Sequence, residues 1–316
     1  MRKSLLLCIV AVALSIGNAL EAKAAYYDVV VDNVNYRIST DSIDEQHRTG
    51  YAYVRGLADQ AVQDLVIKGY IDYQDTTYHV KSIQGSAFYN NDNIRTVTIE
   101  EGLEEIGQNA FSYCDSLQSV TLPSTVYSLG QSTFYDCDNL EEVNLPEGIT
   151  VLRDYTFYNC YSLKSITLPQ SLTEIGSYVF RECGLTTMTV PANVTSIGVG
   201  AFDECYNMTS FVCDAVTPPA LAGLTFPSNM VIVVPEGSAE AYYNAANWNN
   251  YIIINGEPLH LTLDVQTPGG LADMILSQTE NFRDVNELTV TGSLNDEDLN
   301  TIKERLTGLL VLDMSG

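Results

Sequence analysis

The chain has 316 residues, of which 40 are Asp or Glu and 15 are Lys or Arg, so its net charge is −25 at pH 7. A negative field of this size repels phosphate backbones, and the composition therefore excludes nucleic acid from the expected partners. We interpret the acidity as that of a solvated surface rather than as a cation-binding site.

Residues 1–24 have the pattern of a secretory signal peptide. Arg2 and Lys3 are basic, residues 5–14 are apolar, and Ala22-Lys23-Ala24 supplies the small residues that a signal peptidase recognises. We predict cleavage after Ala24 and export of the mature chain. No later segment is apolar over the length that crosses a bilayer, so the mature chain is predicted not to span a membrane.

Residues 25–80 are predicted to form an N-terminal β cap. Strand patterns occupy residues 28–31, 51–54 and 76–80, and the turn-forming pair Asp32-Asn33 follows the first of them. These strands are expected to cap the first unit of the segment that follows and to cover its open edge.

Residues 81–213 repeat with a period of 23, which predicts a stack of equivalent supersecondary units. Six phenylalanines mark the period at steps of 23, 23, 23, 23 and 22: Phe88, Phe111, Phe134, Phe157, Phe180 and Phe202. Two aliphatic columns keep the same register: Leu103, Val126, Ile149, Leu172 and Val194, and Ile106, Leu129, Leu152, Ile175 and Ile197. The one shorter step reflects a deletion after Cys183.

Each unit begins with a strand that ends at a proline. Residues 117–123 read Leu-Gln-Ser-Val-Thr-Leu-Pro, in which inward apolar and outward polar residues alternate, and proline ends the strand because it lacks an N–H donor. A glycine after the second aliphatic column, such as Gly107 or Gly130, indicates a close backbone approach.

A cysteine column follows the phenylalanines: Cys114, Cys137, Cys160, Cys183 and Cys205, with Asn91 in the first unit. We favour the interpretation that these cysteines are buried free thiols, because in a column of equivalent positions no cysteine has a distinct partner for a disulfide. Coils about 4.8 Å apart lie within disulfide reach, so spacing alone leaves pairing open. A metal site is disfavoured because the cysteines are not clustered as close pairs.

Two further units follow the array. Residues 214–256 are predicted to be its C-terminal cap, with a strand at 230–234 and a short helix carrying Tyr242, Ala245 and Trp248.

Residues 257–316 are predicted to start a second α/β unit with strands at 261–265 and 285–290 and a helix at 271–276. Asn295 is expected to cap a helix with Leu299, Ile302 and Leu306 on one face. Because a strand pattern restarts at 309–314, we expect the second unit to be truncated and the chain to be part of a longer surface protein.

The repeat resembles a known family. The pattern Ile106-Gly107-x-x-Ala110-Phe111-x-x-Cys114-x-x-Leu117-x-x-Val120-x-Leu122-Pro123 is similar to the BspA-type leucine-rich repeat of bacterial surface proteins, over about residues 68–255. The resemblance implies a right-handed solenoid and adhesion to host matrix proteins, host cells or other microbes. Arg153 at a usual glycine position and the shortened unit after Cys183 depart from the pattern, and are expected to change only local curvature.

No catalytic constellation is evident, so we predict that the protein is not an enzyme and needs no cofactor or metal. His47, His79 and His260 have no candidate ligand or nucleophile near them in sequence. Asp92, Asp115 and Asp138 recur after the phenylalanines. Calcium binding and turn capping are both open for them, and turn capping is favoured.

Two surface stripes are candidate binding sites. Outward strand positions form a polar face of Thr96, Thr98, Ser119, Thr121, Glu142, Asn144, Ser165, Thr167, Thr187 and Thr189. Such sheet faces are the usual ligand surface of solenoids. The alternative is that threonine occurs here only because it is favoured in strands. A tyrosine stripe that includes Tyr135 and Tyr158 lies near the Phe–Cys turn; it suits protein or glycan contact, or packing over the core.

These observations predict one architecture and one function. The fold class is an α/β-type leucine-rich-repeat solenoid, mostly β and irregular coils, with capping strands and a small C-terminal α+β segment. The function is that of a secreted or cell-surface bacterial recognition protein that adheres to an extracellular or host-surface protein through the strand face. The alternative is a glycan-binding module that uses Tyr135 and Tyr158.

Overall fold

A computed structural model describes residues 26–44, 46–227, 230–256, 258–279 and 281–315. The predicted signal peptide and its cleavage after Ala24 lie outside the described residues. Within them, no helix is both long enough and apolar enough to cross a membrane.

The N-terminal cap is a small sheet that continues into the repeats. Its strands are β1 (Tyr26–Val31), β2 (Val34–Asp44), β3 (Thr49–Leu57), β4 (Asp64–Ile67), β5 (Tyr70–Tyr73) and β6 (Thr76–Ile83). Asp32 and Asn33 have φ of 47° and 67°, as a tight two-residue hairpin turn requires. The three predicted strands are present, whereas β2, β4 and β5 were missed.

Each repeat coil contributes a front strand and a side strand. The front strands are β7 (Thr96–Ile99), β9 (Ser119–Thr121), β11 (Glu142–Val143), β14 (Thr187–Val190) and β16 (Ser210–Cys213). The side strands are β8 (Glu105–Ile106), β10 (Ser128–Leu129), β12 (Val151–Leu152), β13 (Glu174–Ile175) and β15 (Ser196–Ile197). We call these two stacks the front ladder and the side ladder, and pairing within both is parallel.

The cap supplies the first rung of each ladder. In the front ladder β4 pairs with β7, and in the side ladder β6 pairs with β8. The open end of the stack is therefore covered by strands of the cap. The predicted limit of the cap at residue 80 falls inside β6, so the chain passes from cap to array without a linker.

A column of stacked phenylalanine rings forms the third side of the solenoid. Successive rings from Phe88 to Phe202 lie 4.9–5.7 Å apart and within 16° of parallel. Phe226 adds one more ring, 5.4 Å from Phe202, and then contacts Trp248 and Tyr251. Phe226 was missed in the sequence because it is not at the repeat spacing from Phe202.

The cysteine column consists of free, buried thiols. Each Sγ donates to the carbonyl of the phenylalanine one coil earlier: Cys114 to Phe88 (3.2 Å), Cys137 to Phe111 (3.1 Å), Cys160 to Phe134 (3.2 Å), Cys183 to Phe157 (3.0 Å) and Cys205 to Phe180 (3.0 Å). Asn91 holds the same place in the first coil, where its Oδ1 accepts from the N–H groups of Asn93 and Ile94.

The side ladder is interrupted at Arg153. At Gly107, Gly130 and Gly198, an added Cβ would lie 2.3–2.5 Å from backbone nitrogen atoms of the preceding coil. These glycines also donate 2.8 Å bonds to carbonyls of that coil. Arg153 already carries a Cβ, its N–H makes no such bond, and β12 does not pair with β10. The missing glycine therefore explains why the ladder divides here.

The stack closes with three strands and two short helices. These are β17 (Ala220–Leu221), β18 (Val231–Val234) and β19 (Ile252–Asn255), the helix α1 (Ala239–Asn244) and a 3-10 helix (Trp248–Asn250). The single helix predicted from Tyr242 to Trp248 is wrong, because Asn247 adopts φ 69° and divides it. Tyr242 and Trp248 are buried as expected.

The C-terminal unit has a separate core. Its elements are β20 (Leu259–Val265), α2 (Leu271–Leu276), a 3-10 helix (Phe282–Asp284), β21 (Val285–Gly292), α3 (Asp296–Asn300), a π-helix (Thr301–Arg305) and β22 (Val311–Asp313). Asn295 caps α3 as predicted, accepting from the N–H groups of Glu297 and Asp298. The expected apolar face is only partly formed, because Leu306 is buried whereas Leu299 is exposed.

Candidate functional site

The predicted polar face lies on the front ladder. In register, Thr96 is beside Ser119 and Thr98 is beside Thr121. Ser119 in turn is beside Glu142. Thr187 and Thr189 lie on β14, which belongs to a separate sheet of the front ladder. The structure thus aligns these side chains in rows, because strands of equal register place equivalent residues one coil apart.

Most hydroxyl groups of this face have no partner among the described residues. Thr96 donates to Asp64 Oδ1 at 2.8 Å. In the part of the chain that the structure describes, no side-chain hydrogen bond is made by the other seven hydroxyls: Thr98, Ser119, Thr121, Ser165, Thr167, Thr187 and Thr189. Several threonines elsewhere differ: the hydroxyls of Thr133 and Thr156, for example, donate to backbone carbonyls. The front-face hydroxyls are therefore available to an external group.

The front ladder is interrupted at residues 165–168. β11 pairs only with β9, and β14 pairs only with β16, so the segment between them joins neither. Within the described part of the chain, no backbone hydrogen bond involves Ser165, Ile166, Thr167 or Leu168. The nearest link is Thr186 N to Lys164 O at 3.0 Å. The prediction that Ser165 and Thr167 lie on a strand of the sheet is therefore wrong.

Two open clefts flank the unpaired segment. The larger, about 390 Å³, is lined by residues 141–145 on one side and 165–167 on the other. The smaller, about 300 Å³, lies between 165–168 and β14. Six of the predicted face residues line these clefts, namely Glu142, Asn144, Ser165, Thr167, Thr187 and Thr189. The clefts also contain Glu141, Leu145 and Ile166, which the sequence analysis did not select.

The Asn144 side chain marks the end of regular pairing on one side of the larger cleft. Its Nδ2 donates to Leu122 O at 2.8 Å, and its Oδ1 accepts from Leu122 N at 2.7 Å. An amide side chain has the same donor and acceptor as a peptide group, so it takes the place of the next rung. Asn144 is therefore a structural residue. Leu145 and Ile166, beyond that rung, are only half-buried.

The tyrosine stripe is a ladder of rings in mutual contact. Tyr89, Tyr113, Tyr135 and Tyr158 are joined by centroid distances of 5.4, 5.3 and 4.9 Å, the last pair being parallel within 2°. The Arg181 guanidinium lies 5.8 Å from the Tyr158 centroid. Burial raises the pKa of Tyr135 to about 12. Tyr135 and Tyr158 are stacked and cover one face of each other, so these two rings have less free face for a sugar to stack on.

The histidines and aspartates do not form a metal-binding group in the described residues. His47 pairs with Asp44 at 2.7 Å, and His260 pairs with Glu287 at 3.1 Å, both at exposed positions. Across residues 26–315, apart from the undescribed gaps, no three His, Cys, Asp or Glu side chains are placed to share a metal ion. Burial and neighbouring Asp92 and Asp136 raise the pKa of Asp115 above its ordinary value.

Comparison with known proteins identifies the repeat. Residues 81–209 match the BspA type leucine rich repeat region in six copies. No curated protein sequence matches the chain.

Several crystal structures of bacterial repeat proteins are similar to this chain. A leucine rich cell surface protein from Faecalibacterium prausnitzii A2-165 is 19% identical, with 92% of this chain and 95% of that chain covered and a TM-score of 0.49. The leucine rich repeat protein of T. pallidum is 21% identical, with coverage of 70% and 91% and a TM-score of 0.49. A leucine-rich repeat protein from Bacteroides ovatus is 18% identical, with coverage of 91% and 91% and a TM-score of 0.32.

Proposed function

Because residues 81–209 of this chain match the BspA type leucine rich repeat region, we propose that it is an exported recognition protein. It binds an extracellular or host-surface protein through the front ladder and acts at the bacterial surface or beyond it. Repeat solenoids present extended faces that suit protein partners. The observation that carries the proposal is the set of seven exposed or half-exposed hydroxyls that have no hydrogen-bond partner among the described residues.

Binding to an array of extracellular-matrix proteins at physiological salt tests this function. We expect saturable binding by the full chain, reduced at least tenfold by Thr98→Ala, Thr121→Ala and Thr167→Ala together. A tenfold loss corresponds to about 1.4 kcal/mol, which is within reach of a few lost hydrogen bonds.

The matched control is Thr150→Ala, because Thr150 is also an exposed threonine but lies on the side of the coil. It should bind as the unchanged chain does. Absence of binding to every protein on the array, or equal loss in Thr150→Ala and the triple variant, would contradict the proposal.

Glycan binding at Tyr135 and Tyr158 is the second candidate and is ranked lower, because the two rings are stacked and each covers one face of the other. Binding of the chain to glycans placed on the same array tests this second candidate. Binding to a glycan that is abolished by Tyr135→Ala or Tyr158→Ala and kept by the triple threonine variant would replace the first proposal with this one.

A further inference from the structure

The interrupted front ladder leaves backbone groups unused in the middle of the face. In an extended strand, N–H and C=O groups point sideways, towards the neighbouring strands. Residues 165–168 have the alternating exposure of a strand, but pair with neither β11 nor β14. Their peptide groups therefore face the two clefts and have no protein partner among the described residues.

The larger cleft also carries two unpaired carboxylates. Glu141 and Glu142 are exposed and line it, and neither makes a side-chain hydrogen bond or ion pair within the described residues. Most other glutamates of the array differ, and among its described residues only Glu174 shares this lack of a partner. Glu104 pairs with Lys81, and Glu147 accepts from the backbone N–H groups of Gln170 and Ser171. Within the described array, two neighbouring glutamates without a side-chain partner therefore occur only at this cleft.

The cleft combines three properties that a peptide ligand needs. It has unpaired backbone donors and acceptors on one wall, half-buried Leu145 and Ile166 for apolar contact, and negative charge at its rim. A volume of about 390 Å³ suits a few residues of an extended chain. Because the whole chain has a net charge of −25, an acidic or phosphorylated ligand would be repelled.

We propose that this cleft, between residues 141–145 and 165–167, receives a short extended segment of a partner protein that carries Lys or Arg. The backbone of the segment bonds to the unpaired peptide groups of residues 165–168, and its basic side chain lies against Glu141 and Glu142. Main-chain bonds supply affinity and the basic side chain supplies selectivity, as in other cases of strand addition. This inference rests on the proposed function and specifies which part of the front face anchors the partner.

Titration of the full chain with the capped heptapeptide Gly-Ser-Thr-Arg-Thr-Ser-Gly tests the inference. We expect saturable binding at physiological salt that is lost when citrulline replaces arginine. Amide hydrogen exchange within residues 165–168 should slow in the complex at the alternate N–H groups that face the larger cleft, because these groups become bonded. Non-specific attraction to an acidic protein would produce no such local protection.

Glu141→Gln with Glu142→Gln should weaken peptide binding at least tenfold. The matched control is Glu236→Gln with Glu240→Gln, which removes the same charge at exposed positions remote from the cleft. No saturable binding, binding without protection of residues 165–168, or equal loss in the control would each overturn the inference.

The same variants separate this inference from the proposed function. If a matrix protein binds and the triple threonine variant loses it while the double glutamine variant does not, the front face is the binding surface and the cleft is not its anchor. If the peptide binds in the cleft but no matrix protein binds at all, the cleft inference holds and the proposed matrix partner fails.

Discussion

Each column cysteine fills space inside its coil and donates its thiol hydrogen to a phenylalanine carbonyl of the preceding coil. A thiol is smaller than a valine side chain and is still a donor, so one residue meets both needs. Burial raises the pKa of the Cys114 and Cys205 thiols to about 12. The column is therefore structural and chemically inert in the folded chain.

Alkaline titration tests the cysteine column. An unfolded thiol titrates at about 8.5, whereas the folded Cys114 and Cys205 thiols stay protonated to about 12. Between these values the unfolded chain binds fewer protons than the folded chain. The free energy of unfolding is thus unaffected by these thiols below pH 8.5 and falls above it, by up to about 1.4 kcal/mol per pH unit per thiol. Denaturant titrations from pH 7 to 11 measure this, and Cys114→Ala should reduce the slope.

Alkylation at pH 8, mapped by mass spectrometry, is the accompanying measurement. Residues Cys114 to Cys213 should react slowly in the folded chain and fully in denaturant. Rapid modification of the folded chain, or cysteines that stay unmodified in denaturant without reductant, would contradict the free-thiol column.

The glycine at the side ladder is a second position where one atom decides the packing. A Cβ on Gly130 would lie 2.3 Å from Gln108 N, so Gly130→Ala must push the two coils apart. We expect a loss of about 1–3 kcal/mol in the free energy of unfolding. Arg153 occupies the equivalent position, where the coils are already separated. Arg153→Ala should therefore change the free energy of unfolding by less than about 0.5 kcal/mol. Equal effects in denaturant unfolding would refute this explanation of the interrupted ladder.

At the scale of elements, the three sides of the solenoid are not equally continuous. The side ladder divides between β10 and β12, and the front ladder divides on both sides of residues 165–168. The phenylalanine side continues past both, through bonds such as Phe134 N to Thr156 O and Phe157 N to Val179 O, each 2.9 Å. The stacked rings and their turns therefore hold the two halves of the array together.

Phe226 connects this ring column to the C-terminal cap, and Phe226→Ala should uncouple them. Its ring contacts Phe202, Phe211, Trp248 and Tyr251, and truncation of such a buried ring costs about 3–5 kcal/mol. Trp248 is the single tryptophan, so its fluorescence reports on the cap. In the unchanged chain the fluorescence and circular-dichroism transitions should coincide. In Phe226→Ala the fluorescence transition should come at lower denaturant, and a shared transition would argue against the uncoupling.

At the scale of the whole molecule, the described residues form two hydrophobic cores. One runs from Val29 through the array to Ile253, and the other joins β20, β21 and α2. Tyr243 and Arg283 make a contact between the two units, with the guanidinium 4.9 Å from the ring centroid. A unit of about 60 residues buries a smaller share of its surface than a long array and is correspondingly less stable.

The two cores should therefore unfold separately. Hydrogen exchange in increasing denaturant should release the amides of β20 and β21 before those of β7, β9 and β16. Trp248 fluorescence should not change in the first step, because Trp248 belongs to the larger core. Simultaneous release of both groups would show that the units unfold as one.

The sequence by itself determined the parts of this protein that depend on a residue type recurring at a fixed interval. The period of 23 placed Phe134, Cys137 and Leu129 inside the coil, because every coil needs the same side chains at the same places. The capping role of Asn295 could also be predicted from the sequence, because a helix N-cap depends only on the residues of its own turn. The front face was predicted in the same way, as the outward positions of each strand.

Only the tertiary structure decided how consecutive coils meet. Pairing between coils depends on small differences in backbone path, which residue type alone does not report. Arg153 was noted as a departure, but its consequence, a divided side ladder, follows from backbone atoms one coil away. The unpaired segment at residues 165–168 has an ordinary strand sequence, and its clefts exist because neither neighbouring coil lies within hydrogen-bonding reach.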